Sequence, residues 1–170
     1  MSTTMTANDA PTLADARAGK YLTFQLSHEE FGIGVLKVRE IMGLQEITAV
    51  PQTPAHIKGV INLRGKVVPV IDLRLKFGLA AAEYTQRTCI IVTQVQGESG
   101  AVLMGIVVDG VSEVLTLAGS EIEDTPDFGE EYSGGYLLGM AKVKGKVKIL
   151  LDIERVLSTQ DLHNLNSVLR

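Results

Sequence analysis

The sequence predicts a mainly β protein of two small barrels side by side, with short helices, because the chain repeats itself. Residues 59–73 (GVINLRGKVVPVIDL) align without a gap with residues 139–153 (GMAKVKGKVKILLDI). Upstream, residues 31–41 align with residues 104–114 in the same order. A repeat of this length indicates two similar units built in tandem. Each half contains about five short strand-like runs separated by tight turns, and closure into a barrel protects the edges of such strands.

The elements of the first half follow from local patterns. Residues 1–19 are small and polar and are expected to form a disordered tail. Apolar residues alternate over 21–26, which predicts a strand, and residues 31–35 are its expected hairpin partner. Four apolar residues then recur at helical spacing and predict one short helix or turn that ends at Gly43. These residues are Leu36, Val38, Ile41 and Met42.

The repeat core begins at Gly59. Residues 59–63 and 67–71 are rich in β-branched residues and predict a hairpin with a tight turn at residues 64–66. Asp72 is expected to cap a short helix over residues 73–77.

The second half repeats this plan. The predicted elements are a hairpin of residues 88–95 and 102–108, a strand over 114–117, an acidic loop over 124–134, a hairpin of 136–143 and 147–151, a helix over 153–157 capped by Asp152, and an amphipathic segment over 161–169. The chain is thus divided into a tail (1–19), a domain (20–157) with a first barrel of about 20–85 and a second of about 86–157, and a helical tail (158–170).

Composition limits the class of protein. The 170 residues are 45% hydrophobic, so a core of useful size can form without disulfides or metals. A net charge of −4 disfavours nucleic acid, because phosphate binding normally requires a basic face. The single Cys89 excludes an intramolecular disulfide and is typical of a reducing compartment. With no signal-like segment and no apolar run of about 18 residues, a soluble cytoplasmic protein is expected.

The residues that could carry chemistry form no reactive arrangement in the sequence. The three histidines are far apart and lack partners at metal-ligand spacing, so neither a metal nor a cofactor is expected. Asp72 and Asp152 could form a paired acid site, but the repeat favours two helix caps. Cys89 lies in an apolar run, where a buried, unreactive thiol is the better interpretation. Binding without catalysis is therefore the expected function.

Two charged residues interrupt apolar surroundings. Glu40 lies among apolar residues, and Arg64 lies at a hairpin tip. Both could be ordinary solvated charges; alternatively, the fixed donors of Arg64 could anchor a partner protein. The second repeat has Lys144 in place of Arg64, so the two halves are not equivalent as binding surfaces.

Five segments together resemble the CheW family of chemotaxis coupling proteins, over about residues 20–157. They are FGI at 31–33, VREI at 38–41, PAHIKGVINLRG at 54–65, VVPVIDL at 67–73 and GIVVDGVSEV at 105–114. The resemblance implies two intertwined five-stranded barrels similar to SH3 folds. It also implies a non-catalytic adaptor that joins the cytoplasmic tip of methyl-accepting chemoreceptors to the regulatory domain of the histidine kinase CheA. Such an adaptor contacts the membrane only through receptor arrays.

The resemblance also implies two binding sites. Receptor binding is expected in the groove between the barrels, at Val38, Glu40, Ile41, Asn62 and Arg64. Kinase binding is expected on the second half, at Cys89, Val107, Val111 and Leu115. The alternative function is a small β-barrel module that binds nucleic acid, which requires a basic groove with stacking aromatic residues.

Overall fold

The computed structural model describes residues 16–97, 100–125 and 136–157. These ranges form eleven strands, two one-turn α-helices and two 3₁₀ turns. The strands are β1 (Gly19–Leu26), β2 (Glu29–Gly34), β3 (Val38–Gly43), β4 (Ile57–Leu63), β5 (Lys66–Asp72), β6 (Cys89–Gly97), β7 (Gly100–Val108), β8 (Gly110–Leu117), β9 (Ile122–Glu123), β10 (Leu137–Val143) and β11 (Lys146–Leu151). The helices are α1 (Leu73–Lys76) and α2 (Ile153–Val156), and the 3₁₀ turns are Val35–Lys37 and Gly119–Glu121.

The strands form two sheets with matching topology. A six-stranded sheet has the order β8-β1-β2-β11-β10-β9, and a five-stranded sheet has the order β3-β6-β7-β5-β4. Each sheet contains one parallel pair, β2 with β11 and β5 with β7. Apart from the two-residue β9, the two orders correspond position by position under the internal repeat. The prediction of a mainly β fold with two intertwined, repeated units is confirmed.

Each sheet takes strands from both halves of the chain. Strands β1 and β2 of the first half join a sheet with β8–β11, while β6 and β7 of the second half join β3–β5. The predicted boundary between residues 20–85 and 86–157 therefore separates the two repeats but not the two sheets. The physical reason is the parallel pairing, because parallel neighbours cannot be joined by a tight turn and must come from distant parts of the chain.

The core has three parts. The largest cluster of buried side chains draws on both sheets, with members such as Phe24 and Ile33 from one and Ile91 and Ile106 from the other. Two smaller clusters belong to one sheet each. On β6, Ile91 contacts the shared cluster while Ile90 contacts the cluster of the five-stranded sheet. Both faces of this strand are buried, which explains its continuous apolar sequence.

Most predicted elements of the repeat core are present. Asp72 accepts hydrogen bonds from the backbone N–H groups of Arg74 (3.0 Å) and Leu75 (3.4 Å), and Asp152 accepts one from Glu154 (3.1 Å). Both aspartates are therefore helix caps, as the repeat predicts. The strand predicted over residues 114–117 is longer and begins at Gly110.

Of the short helix or turn predicted to end at Gly43, only a turn is present, and a helix that reaches Gly43 is wrong. Residues Val35–Lys37 form a 3₁₀ turn, and Val38–Gly43 form strand β3. Strand β3 pairs with β6 at the edge of the five-stranded sheet, so tertiary context overrides the helical spacing of the apolar residues.

The tails lie mostly outside the described residues. The predicted disordered tail extends too far, because Arg17 is only 9% exposed, donates to the Leu138 carbonyl oxygen and pairs with Asp124. Most of the loop predicted over residues 124–134 and the segment over 161–169 lie outside the described ranges.

Candidate functional site

Strand β3 carries three of the five residues predicted to bind a receptor and pairs with β6 at the edge of the five-stranded sheet. Burial alternates along it: Val38, Glu40 and Met42 are half-buried, whereas Arg39 and Ile41 are more exposed. Alternation is the period of a strand with one inward face. Glu40 therefore lies on the inward face, and Ile41 on the outward face.

The β4–β5 hairpin holds the other two predicted residues. Leu63 pairs with Lys66, which leaves Arg64 and Gly65 as a two-residue loop. Their φ angles are +51° and +86°, the conformation of a type I′ turn, whose twist suits a hairpin. The Gly65 N–H donates to Asn62 Oδ1 at 2.7 Å. Asn62 thus stabilises the turn that presents Arg64.

Glu40 and Arg64 form a bidentate ion pair. Arg64 Nη1 donates to Glu40 Oε1 at 3.1 Å, and Nη2 donates to Oε2 at 2.7 Å. Strands β3 and β4 are the two edges of the five-stranded sheet, so this pair joins one edge to the tip of the opposite hairpin. The hydrogen bonds from Arg64 hold the pKa of the Glu40 carboxyl below its ordinary value. The Arg64 side chain remains 73% exposed, so donors are left for a partner.

A cleft of about 440 Å³ lies beside this ion pair. Its lining residues are Arg39, Glu40, Leu63, Arg64, Lys66, Val92, Gln94, Ala101 and Leu103. All of them belong to strands of the five-stranded sheet or its hairpin tip. The cleft at the predicted residues is therefore within one sheet, and receptor binding in a groove between the barrels stays a prediction.

Exposed aliphatic side chains lie on the same stretch of chain. Leu36 is 92% exposed, Ile41 is 45% exposed and Leu44 is 38% exposed. Single exposed aliphatic residues are common, whereas a contiguous patch of them marks a surface that binds another protein. Sequence reasoning missed Leu36 as a site residue because it assigned this residue to the apolar face of a helix. Its position next to the charged residues Lys37 and Arg39 was the available signal.

One of the four residues predicted to bind a kinase is buried. Val107 is 3% exposed and belongs to the core of the five-stranded sheet, so its side chain is unavailable to a partner and this part of the prediction is wrong. Cys89 and Val111 are half-buried against the shared cluster, and Leu115 is half-buried against the cluster of the six-stranded sheet. The apolar sequence around Val107 reflects core packing.

The repeat gives equivalent positions different side chains. Lys144 has φ +53° at the hairpin tip that corresponds to Arg64, and Glu113 corresponds to Glu40. Among the described residues, however, Glu113 and Lys144 form no ion pair like that of Glu40 and Arg64. The paired, oriented guanidinium therefore belongs to one hairpin only.

Groups that could perform chemistry have structural partners. Asp72 and Asp152 cap helices, and the Cys89 thiol lies 3.2 Å from the Arg87 carbonyl oxygen. No group of three or more potential metal ligands lies within residues 16–97, 100–125 and 136–157. None of the helices in those ranges is long and apolar enough to cross a membrane.

Comparison with known proteins identifies the family. The family model described as "CheW-like domain" matches residues 20–161. The chain belongs to the CheW-like family. It is 42% identical over 149 residues to the chemotaxis protein CheW of Klebsiella aerogenes, a match that covers 88% of this chain and 87% of that protein. It is 34% identical over 140 residues to the chemotaxis protein CheW of Rhizobium meliloti, covering 82% of this chain and 88% of that protein.

A solved CheW structure has the same fold. The scaffolding protein TtCheW from Thermoanaerobacter tengcongensis superposes with a TM-score of 0.73 at 31% identity, over 83% of this chain and 93% of that one. The likeness predicted from the five sequence segments is therefore confirmed. The chain is a scaffolding protein of chemotaxis in the CheW-like family.

Proposed function

We propose that this chain is a non-catalytic adaptor that couples methyl-accepting chemoreceptors to the histidine kinase CheA in signalling arrays. It binds the cytoplasmic receptor tip through the first repeat and the kinase regulatory domain through the second. No reaction is required of the chain, since its acidic pair Asp72 and Asp152 is engaged in helix caps. Membership in the CheW-like family supports the general role.

The bidentate ion pair of Glu40 and Arg64 is the observation that carries the receptor-binding proposal. Glu40 holds the guanidinium at the hairpin tip, so little side-chain freedom is lost when Arg64 meets a partner. Ile41 and Leu36 offer aliphatic surface on the same stretch of chain. An amphipathic helix that docks on apolar residues and is oriented by an arginine is a common recognition mode. Val38 and Asn62 support this surface from the strand and the turn.

The kinase-binding proposal rests on a smaller set of residues. Cys89, Val111 and Leu115 are half-buried on strands β6 and β8, and Val114, next to Leu115, is 53% exposed. These positions belong to the second repeat and include no member of the Glu40–Arg64 site. Two partners can therefore be bound through separate residues.

The alternative of a nucleic-acid-binding module is not favoured. The large hydrophobic residues exposed in the described part of the chain are all aliphatic, namely Leu36, Ile41, Leu44, Val67, Val114 and Val147. Binding of single strands relies on exposed aromatic rings in a basic groove. The net charge of −4 opposes the same function.

The receptor site is tested by reversing one charge at each hairpin tip. Arg64→Glu places two carboxylates side by side, and we expect affinity for a receptor-tip helical hairpin to fall about tenfold or more. Lys144→Glu is the matched control, since it makes the same change at the equivalent turn. Isothermal titration calorimetry with the hairpin, and separately with the kinase regulatory domain, measures both contacts.

We expect Arg64→Glu to retain kinase affinity and a melting temperature within about 3 °C of the unaltered chain, because the side chain is exposed. Equal receptor affinity of the two variants contradicts the proposed site. Failure of the unaltered chain to bind either partner contradicts the proposed function.

A further inference from the structure

The chain passes between the two sheets twice within the described residues. It leaves the six-stranded sheet after β2 through the 3₁₀ turn Val35–Lys37, and it returns after β7 through Asp109. These two crossovers correspond under the internal repeat, since residues 31–41 align with residues 104–114. The backbone of a crossover lies outside both hydrogen-bonded ladders, so other hydrogen bonds or ion pairs must fix its path.

The second crossover is held by Asp109. Its Oδ2 atom accepts from the Ser27 N–H at 2.6 Å and from the guanidinium of Arg74 in helix α1. Ser27 lies at the β1–β2 turn of the six-stranded sheet, whereas α1 follows β5 of the five-stranded sheet. These three residues, the Asp109 cluster, therefore tie one crossover to both sheets.

The first crossover is held in the same way, with the charges reversed. Glu154 of helix α2 accepts from Lys37 Nζ at 2.9 Å through Oε1 and from the Gln96 N–H at 3.0 Å through Oε2. Helix α2 follows β11 of the six-stranded sheet, and Gln96 lies near the end of β6 in the five-stranded sheet. Lys37, Gln96 and Glu154 form the Glu154 cluster. Glu154 corresponds to Arg74 under the repeat, so the helix supplies the anion here and the cation in the other cluster.

Electrostatics support the Glu154 cluster as a formed ion pair. Burial raises the pKa of the Glu154 carboxyl, but the hydrogen bonds from Lys37 and from the Gln96 N–H outweigh this and lower the pKa below its ordinary value. The carboxylate is therefore charged at neutral pH. Lys37 is 45% exposed and Glu154 is 30% exposed, so the pair contributes little to global stability. Its effect is on the local path of the chain.

The crossover that Lys37 anchors is the one that carries the exposed apolar residues. Leu36, at 92% exposed, directly precedes Lys37, and Val38 directly follows it. The Val38 N–H donates to the Val35 carbonyl oxygen and closes the 3₁₀ turn. We propose that Glu154 is a positioning residue of the receptor site, which it holds in place by fixing the Lys37 crossover from the opposite sheet. This inference rests on the proposed receptor-binding function.

The test compares equivalent changes in the two clusters. In Glu154→Gln the Lys37 ammonium loses its charged partner, and we expect affinity for the receptor-tip hairpin to fall about threefold to tenfold. Arg74→Gln is the matched control at the other crossover, and it should leave receptor affinity unchanged. Hydrogen exchange of the Val38 amide, followed by NMR on the unbound chain, should accelerate in Glu154→Gln and not in Arg74→Gln.

A double-mutant cycle separates positioning from direct contact. If Lys37 acts through Glu154, then Lys37→Met combined with Glu154→Gln weakens binding no more than the stronger single change does. Additive losses mean that Lys37 contacts the receptor by itself and overturn the inference.

The outcomes also distinguish failure of this inference from failure of the proposed function on which it rests. Normal receptor affinity together with normal Val38 exchange in Glu154→Gln overturns the positioning role and leaves the proposed function intact. If the unaltered chain does not bind the hairpin, both fail. Faster exchange with weaker binding in Glu154→Gln alone supports the inference.

Discussion

Asp72 and Asp152 occupy equivalent positions in the two repeats, but their surroundings predict unequal contributions to stability. Asp72 is 3% exposed, and both of its carboxylate oxygens are used. Oδ1 caps α1, and Oδ2 accepts from the Tyr84 hydroxyl at 2.8 Å. Asp152 caps α2 with Oδ1 but remains 28% exposed, and its other oxygen faces the exposed Arg155 at 3.5 Å.

The magnitude follows from these contacts. Replacing either aspartate with alanine removes a cap, a loss of about 1 kcal/mol. Asp72→Ala also leaves the Tyr84 hydroxyl without its partner, a further loss of about 1–3 kcal/mol. Burial, and the hydrogen bond to Asp72, raise the pKa of Tyr84, so the hydroxyl is a protonated donor at neutral pH. We therefore expect Asp72→Ala to lower the free energy of unfolding by about 2–4 kcal/mol, and Asp152→Ala by about 1 kcal/mol.

Urea unfolding at pH 7, followed by circular dichroism, measures the difference. A loss of about 3 kcal/mol corresponds to a fall of about 6–12 °C in melting temperature for a chain of this size. Tyr84→Phe isolates the second contact, because it removes the donor and retains the cap. Equal losses in Asp72→Ala and Asp152→Ala, or a Tyr84→Phe variant as stable as the unaltered chain, refute the assignment of the difference to this hydrogen bond.

The remaining predictions concern the core and the Glu154 cluster. Val107→Asp buries a carboxylate among aliphatic side chains and is expected to lower the free energy of unfolding by about 3 kcal/mol or more. Val114→Asp, at a 53% exposed position of β8, is the control and should change the free energy of unfolding by less than about 0.5 kcal/mol. Similar melting curves for the two variants would show that Val107 is misassigned. The lowered pKa of Glu154 implies a stabilising contribution that is present above the ordinary value of 4.5 and is lost as the pH falls through the folded-state value. Unfolding free energies of the unaltered chain and Glu154→Gln should therefore differ by a small amount at pH 7 and converge as the pH falls below the folded-state pKa of Glu154, and a constant difference contradicts the ion pair.

Much of the local structure could be predicted from the sequence because each local pattern of the repeat core occurs twice, once in each repeat. Both hairpin tips, both aspartate caps and the pairing of residues 88–95 with 102–108 depend on neighbouring residues, and all are present. Glu40 and Arg64 were singled out because a charge interrupted an apolar pattern. That they form one ion pair could not be read from the sequence, since 24 positions separate them.

The errors came from contacts between distant segments. The apolar spacing of Leu36, Val38, Ile41 and Met42 fits a helix, but β3 is a strand because β6 is available to pair with it. Val107 was assigned to the kinase-binding face on the family resemblance alone, yet its strand lies between β5 and β6 and its side chain is buried. The exchange of strands between the repeats was implied by the family likeness and not by any local pattern.

The repeat has kept the backbone and changed the charges, and an adaptor requires this combination. Arg64 and Lys144 occupy the same left-handed position of equivalent turns, but only Arg64 is held by a carboxylate. Arg74 and Glu154 occupy the same position of equivalent helices with opposite charge, so the two crossovers are fixed by clusters of reversed polarity. Two similar barrels thus present two different surfaces, as the proposed adaptor function requires.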